Sequence, residues 1–396
     1  MTSVEQSYDS RLYPRLAILA VGLFVVGTNA FVIAGLLPQI AQTLGVRASD
    51  VSYSITYYAI VVALAAPAIS MLLPRMSRTT LMAMGLVLVA IGTVVAALAP
   101  TLTVFTLGRV VAALGGAALV PAATAVAAVL APVNRRGRAI AFVAMGFTAA
   151  VAFGAPLGTA LAESSGWRVP LLAVAGLAAI TACAVAVFVR NIPLGEPVSA
   201  RRRFAVLSHP PVLLALLATL LVVSGFNVVY IFSAEITSVA TGGSASLLAV
   251  LLLVFGIGGI VGNAVVGPLV DRFGNRPVAL VILFVQLAAL VVLPLIASSF
   301  TSTAALFAVW GITANAIALP IQHRLVEVNP ANAGVTLSWY STAMYVGIAL
   351  APPVGAVALA AGNPLLVPDL GAGAVLLGLV AFLFGTLARR RVAVAA

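Results

Sequence analysis

A chain of 396 residues that is 63% hydrophobic and 7% charged, with a mean hydropathy of +1.21, lacks the polar residues to cover a water-soluble globule. Its formal charge of +11 comes from 20 arginines and no lysine against nine acids. The arginines sit in short loops between apolar runs rather than in one patch, which excludes a nucleic-acid partner and leaves an integral membrane protein.

A bilayer core of about 30 Å takes about 20 apolar helical residues. Runs of that size lie near residues 16 to 38, 51 to 73, 80 to 99, 102 to 121, 138 to 161 and 169 to 189, then 212 to 235, 245 to 269, 278 to 297, 302 to 321, 333 to 360 and 370 to 388. They predict twelve membrane-spanning helices and an all-α fold. The first run is about 23 residues with no small-residue cleavage pattern behind it, so it is read as a retained span. Pro352, Pro353, Pro364 and Pro368 are expected to break the last two. Cys183 lies alone inside the sixth run, so no intrachain disulfide forms.

Seventeen of the twenty arginines fall on one side of these spans, from Arg11 and Arg15 through Arg201, Arg202 and Arg203 to Arg389, Arg390 and Arg391. Arg47 and Arg168 fall on the other side, and Arg109 lies within a span. The positive-inside rule then puts both termini in the cytoplasm of a multi-pass inner (plasma) membrane protein. Residues 191 to 208 form the longest polar connection and divide the chain into an N-terminal six-helix bundle, 1 to 190, and a C-terminal one, 209 to 396.

The halves repeat. A shift of 197 residues lays Ser70 to Ser77 on Gly267 to Gly274 and Pro156-Leu157-Gly158 on Pro353-Val354-Gly355, and a shift of 198 lays Gly27-Thr28-Asn29 on Gly225-Phe226-Asn227. Parallel six-span repeats leave such a record and put the substrate path between the halves.

The segment Gly267-x-x-x-Asp271-Arg272-x-Gly274-x-Arg276 resembles the loop signature of the major facilitator superfamily, which is eroded between spans two and three, where Pro74 replaces the acid. Arg109 with Gly115 and Gly116 is similar to the superfamily's span-four motif, with Ala113 where glycine is usual. Gly146 with Gly154-Ala155-Pro156-Leu157-Gly158-Thr159 resembles the span-five motif of antiporters that export drugs and metabolites. Gly35-Leu36-Leu37-Pro38, Gly166-Trp167-Arg168 and Gln322-His323-Arg324 resemble the arabinose and chloramphenicol efflux branch. The resemblance covers the whole chain and implies two pseudo-symmetric six-helix bundles with spans one, four, seven and ten around a central cavity. One position departs: relatives of that branch carry an acid just after the Gly-Thr pair of span one, where this chain has Asn29.

A guanidinium at mid-membrane costs about 2.5 to 3.5 kcal/mol, so Arg109 needs a partner, water or substrate. At about 1.5 Å per residue, Arg109 lies roughly 12 Å below the outer end of span four and Asn29 roughly 20 Å above the inner end of span one, nearly the same depth. Asn227 and Trp310 fall at a similar level, so these four are the expected cavity residues, with Tyr230 and the more cytoplasmic Asn315 as weaker candidates. The plainer alternatives are a hydrogen-bond lock for Arg109, interhelical glue for the asparagines and an interfacial belt for Trp310.

Glu235, at the outer end of span seven, is the candidate proton carrier, as the one acid near the outer mouth of a cavity-lining span. Asp271, with Arg272 and Arg276, reads as a gate that meets a helix N-terminus or Arg135, Arg136 or Arg138. Gly146, Gly154, Pro156 and Gly158 bend span five and admit close helix approach. His209 and His323 have no carboxylate cluster beside them, and no pattern for a metal, a cofactor or a membrane-embedded enzyme is present.

The expected function is secondary active efflux of small, mostly apolar molecules by alternating access, coupled to protons and carried out by a monomer. The missing acid in span one keeps uptake or facilitated diffusion of a sugar or amino acid as the alternative.

Overall fold

A lipid solvent leaves every backbone N–H and C=O to be satisfied inside its own helix. The computed structural model describes residues 3–73, 75–132, 135–190, 192 and 200–395, with side chains from Leu12 to Gly385 apart from those at 200, 202 and 331. Within them twelve helices are long and apolar enough to cross a membrane, and no strand occurs. Spans one to six are Leu12–Leu44, Ala48–Leu72, Arg78–Ala97, Leu102–Leu130, Arg136–Ser165 and Arg168–Phe188. Spans seven to twelve are Pro210–Ile231, Ala245–Phe273, Asn275–Ile296, Phe300–Val328, Ala333–Ala360 and Leu366–Gly385. Pro74, residues 193 to 199 of the central connection and the side chains of Arg11, Arg202 and Arg389 to Arg391 lie outside the described residues.

An even number of spans brings both ends of the chain to one face of the bundle, the terminal face; the other is the distal face. Hydroxyl side chains start several helices: Ser77 Oγ accepts from Thr80 N, Thr101 Oγ1 from Val104 N and Ser244 Oγ from Leu247 N. Two motif glycines stop them. Gly166 (φ 79°) turns the chain between spans five and six, and Gly274 (φ 84°) between spans eight and nine, backbone angles that a side chain disfavours.

The prolines do not break the last two spans. Pro352 and Pro353 sit inside a continuous span eleven, and Pro364 lies in the turn before span twelve, whose first turn takes in Pro368. Proline is tolerated near a helix start, where its missing N–H would have no partner, and packing against span seven supports the pair in span eleven.

Close helix crossings use the glycines. A Cβ on Gly146 would lie 1.9 Å from the Ala20 carbonyl oxygen, one on Gly154 2.0 Å from Thr28 Oγ1, and one on Gly158 2.5 Å from Val32 Cγ2, so span five lies on span one with no room for side chains. The second half has a similar contact: a Cβ on Gly355, which the 197-residue shift pairs with Gly158, would meet Val228 in the last turn of span seven and Phe232 just after it. Span five is not uniformly helical. Ala150–Gly154 is a π turn, preceded by Arg136–Ala149 and followed by Ala155–Ser165.

The two faces differ in how the halves meet. Toward the distal face one apolar cluster joins both halves, running from Val32, Leu36 and Trp167 to Phe232, Leu252 and Val367. Toward the terminal face there are two clusters: one holds only first-half residues such as Leu16, Leu86 and Val143, the other only second-half residues such as Val212, Leu283 and Phe382. A fourth cluster joins the halves along spans two, four and eleven, from Tyr58, Val62 and Ala113 to Tyr345 and Ala349, so the halves meet broadly toward the distal end and, nearer the terminal end, along that one seam.

Candidate substrate cavity

Arg109 is 1% exposed in the wall of span four. Its Nη1 donates to the Asn29 carbonyl oxygen and to Asn29 Oδ1, both at 2.6 Å. Asn29 Nδ2 donates in turn to Thr93 Oγ1 (2.6 Å), and Thr93 donates to the Val89 carbonyl at 2.6 Å. Spans one, three and four are thus pinned through one guanidinium. Its carbon lies 4.3 Å from the centroid of the Tyr58 ring on span two, a cation–π geometry. The glycines of the span-four motif make this possible: Gly115 presses its backbone on Gly85 of span three, and a Cβ on Gly116 would come within 3.0 Å of the Tyr58 hydroxyl.

Tyr58 also lines a cavity between the halves. Spans one, two and five supply Ala30, Phe31, Ile55, Tyr58 and Phe147; spans seven and eleven supply Asn227, Tyr230, Tyr345 and Ile348. Phe31 stands edge-on to both Phe147 and Tyr230, with centroids 5.7 Å away in each case. The space is small in this conformation, with room for water, and a bulky substrate requires it to widen.

Of the residues expected to meet at mid-membrane, Arg109 and Asn29 are in contact, and Asn227 and Tyr230 wall the cavity. Trp310 and Asn315 do not. Trp310 is 1% exposed and packs inside the second half, 4.5 Å from Phe255 and 5.1 Å from Phe307 by ring centroid. Asn315 donates to the Gly311 carbonyl of its own helix at 3.2 Å and fills the notch over Gly259 of span eight. Span ten turns these side chains toward span eight because Gly258, Gly262 and Gly311 bring the two backbones together there.

Glu235 is not at the end of a continuous span seven. That helix stops at Ile231, and Ser233–Ile236 forms a separate short turn packed on span seven and on the distal part of span one. Both carboxylate oxygens are buried without a hydrogen-bond partner, and burial pushes the group up to about 7.

Asp271 is exposed at the terminal end of span eight and makes no ion pair among the described residues, while Arg272 lies 5.2 Å from the Phe273 ring centroid. Arg276 is half-buried as the second residue of span nine. His323 does have an acid beside it, Glu327 Oε1 at 3.2 Å. Arg324, counted from sequence as a loop arginine, is 6% exposed and donates to the Gly385 carbonyl, tying span ten to span twelve.

Three features escape a sequence reading. Tyr58, Phe31, Phe147 and Tyr345 are apolar-run aromatics whose facing depends on helix rotation. Glu163, near the distal end of span five, accepts hydrogen bonds from Ser244 and Ser246 at the start of span eight, across the two halves. The π turn of span five meets span eight where a Cβ on Gly256 would lie 2.2 Å from Ala152 Cα.

A sequence profile of the Major Facilitator Superfamily matches residues 19–352 and 218–395. The chain belongs to this superfamily. Superfamily relatives include the uncharacterized MFS-type transporter YbcL of Bacillus subtilis (strain 168), 31% identical over 346 residues that cover 87% of this chain and 88% of YbcL. The inner membrane transport protein YdhP of Escherichia coli (strain K12) is 30% identical over 350 residues, 88% of this chain and 90% of YdhP. Among solved structures the fold is similar to a bacterial homologue of the human lysosomal transporter Spinster in an inward-facing, occupied conformation (TM-score 0.72, 18% identity, 98% of each chain). It is also similar to a variant of the nucleoside transporter NupG (TM-score 0.75, 13% identity, 94% of this chain and 99% of that one). As a member of the superfamily the chain is a multi-pass membrane transporter and not an enzyme.

Proposed function

We propose that this transporter exports small, mostly apolar molecules from the cytoplasm across the inner (plasma) membrane by alternating access, driven by protons. The observation that supports the reading is the contrast between faces: both halves wall a mid-membrane cavity that a broad joint apolar cluster covers at the distal end, whereas nearer the terminal end two clusters each belong to one half and the halves meet along the seam of spans two and eleven. With the arginine-rich terminal face in the cytoplasm, this conformation is the inward-facing one. The aromatic lining suits apolar cargo, and the span-five motif is of the kind found in drug and metabolite antiporters.

Glu235 is the proton site in this reading, with Asp271, Arg272 and Arg276 as the cytoplasmic gate that engages when the cycle reverses. The sign of the coupling follows from burial. An ordinary glutamate ionises near pH 4.3, whereas buried Glu235 holds its proton up to about 7. The distal-closed state therefore binds the extra proton between those values; it is favoured at acid pH and loses stability as pH rises toward 7. A proton taken up from outside then favours closing of the outer mouth and return to the inward-facing state; export by exchange is completed when that proton leaves toward the cytoplasmic side of the cavity before substrate reopens the outer mouth.

Transport in proteoliposomes with and without a pH gradient tests this. Arg109→Ala and Glu235→Gln are expected to lose gradient-driven transport; wild-type coupling in both removes the assignments. One observation favours the facilitator alternative: the position of the span-one acid holds Asn29, whose amide is taken up by Arg109 and Thr93. Counterflow of a sugar or amino acid that a protonophore leaves unchanged would support it.

A further inference from the structure

The cavity carries a charge preference. We propose that it selects apolar, aromatic-sized substrates bearing an anion or strong acceptor, such as a carboxylate, over cationic amphiphiles of the same size; the inference rests on the cavity being the transport site.

Ring faces alone would suit a cation. Here Tyr58, which lines the cavity, already has the Arg109 guanidinium 4.3 Å from its ring centroid, and Arg109 itself stands behind the lining. Among the described residues that guanidinium has no carboxylate partner: only neutral oxygens, those of Asn29, accept from it, and Nε and Nη2 are buried without a partner. The phenol of Tyr58 is its one ionisable neighbour. An uncompensated cation one ring away from the cavity, in a medium of low polarity, raises the potential throughout it.

Two hydroxyls of cavity-lining residues add to this preference. The hydroxyls of Tyr58 and Tyr230 are both buried without partners, and each is a donor free to turn toward an acceptor. No acid lines the cavity: Glu235 lies about one helical turn beyond Ile231, toward the distal face. A substrate anion would gain two phenolic donors and the field of Arg109, whereas a cation would meet that field with no carboxylate to offset it.

The test uses purified full-length protein in detergent and three probes on one ring: 2-naphthoate, 2-naphthamide and (2-naphthyl)methyl-trimethylammonium, with binding read from naphthalene fluorescence anisotropy. Naphthoate is expected to bind about tenfold tighter than the cation, with the neutral amide between them. In Arg109→Gln the naphthoate-to-naphthamide affinity ratio is expected to fall to within about twofold of one, and Arg109→Lys is expected to keep it. Binding of the amide shows in each variant that the cavity is still formed. A cation bound as tightly as naphthoate, or a ratio unchanged in Arg109→Gln, overturns the charge preference while leaving the cavity reading intact. Failure of all three probes to bind overturns both.

Discussion

The two halves share one helical plan and place different chemistry at its centre. In the first half a buried charge holds spans one, three and four together through Asn29 and Thr93. At the corresponding level of the second half Trp310, Phe255 and Phe307 form an aromatic stack, and Asn227, the repeat partner of Asn29, bonds only to the Val223 carbonyl of its own helix. The repeated packing is kept where a glycine receives a side chain of the neighbouring helix, Val32 at Gly158 and Phe232 at Gly355, and released where side chains meet the cavity. The teaching is that backbone crossings set the scaffold symmetrically, while asymmetry in the polar residues gives the cavity its sign.

The most severe way to break this comparison is at a crossing. Gly146→Leu drives a side chain into the Ala20 carbonyl and is expected to abolish the monodisperse peak in size-exclusion chromatography, whereas Gly176→Leu, with nothing within 4 Å of its Cβ, is expected to leave it. Trp310→Ala removes the centre of the aromatic stack and is expected to cost about 3 kcal/mol, read as a lowered melting temperature with the naphthoate preference retained. Arg109→Met leaves the Asn29 amide oxygen short of a donor, at about 1 to 3 kcal/mol, and unlike Trp310→Ala it is expected to erase that preference. If both variants changed stability and selectivity in parallel, the division of labour between halves would be wrong.

Smaller effects sharpen the contrast between faces. Glu235→Gln is expected to flatten the pH dependence of distal closure between about 4.3 and 7, measured as accessibility of a cysteine placed at the distal mouth. Glu163→Ala removes hydrogen bonds that Ser244 and Ser246 donate across the halves. Because these groups are exposed, the expected change is only about 1 kcal/mol toward distal opening.

The span count was legible because lipid demands about 20 apolar residues per crossing, and the glycine motifs were legible because only glycine lets two backbones touch. Depth was legible too: helix rise is fixed, so Asn29 and Arg109 could be placed at one level. Helix rotation was not. Span seven, with Leu216, Val222 and Asn227 all buried, is apolar on every side, so its sequence gives no face to orient. The same holds for span ten, which is why Trp310 and Asn315 were expected in the cavity and pack on span eight instead. Glu235 was expected on a continuous span seven, but that helix ends at Phe232 (φ −101°, ψ 22°) and the carboxylate sits on the short turn that follows, packed on spans one and seven.

The central claim is that the halves rock about the cavity, so that one face opens as the other closes. Paired spin labels test it most directly, in a Cys183→Ser background that removes the exposed native thiol: one pair at positions 163 and 246 across the distal face, another at 78 and 276 across the terminal face. Pulsed-dipolar distances in nanodiscs are expected to show a distal distance that lengthens, as pH is raised, by the same population that shortens the terminal one. Two distances that stay fixed, or that lengthen together, would contradict the account.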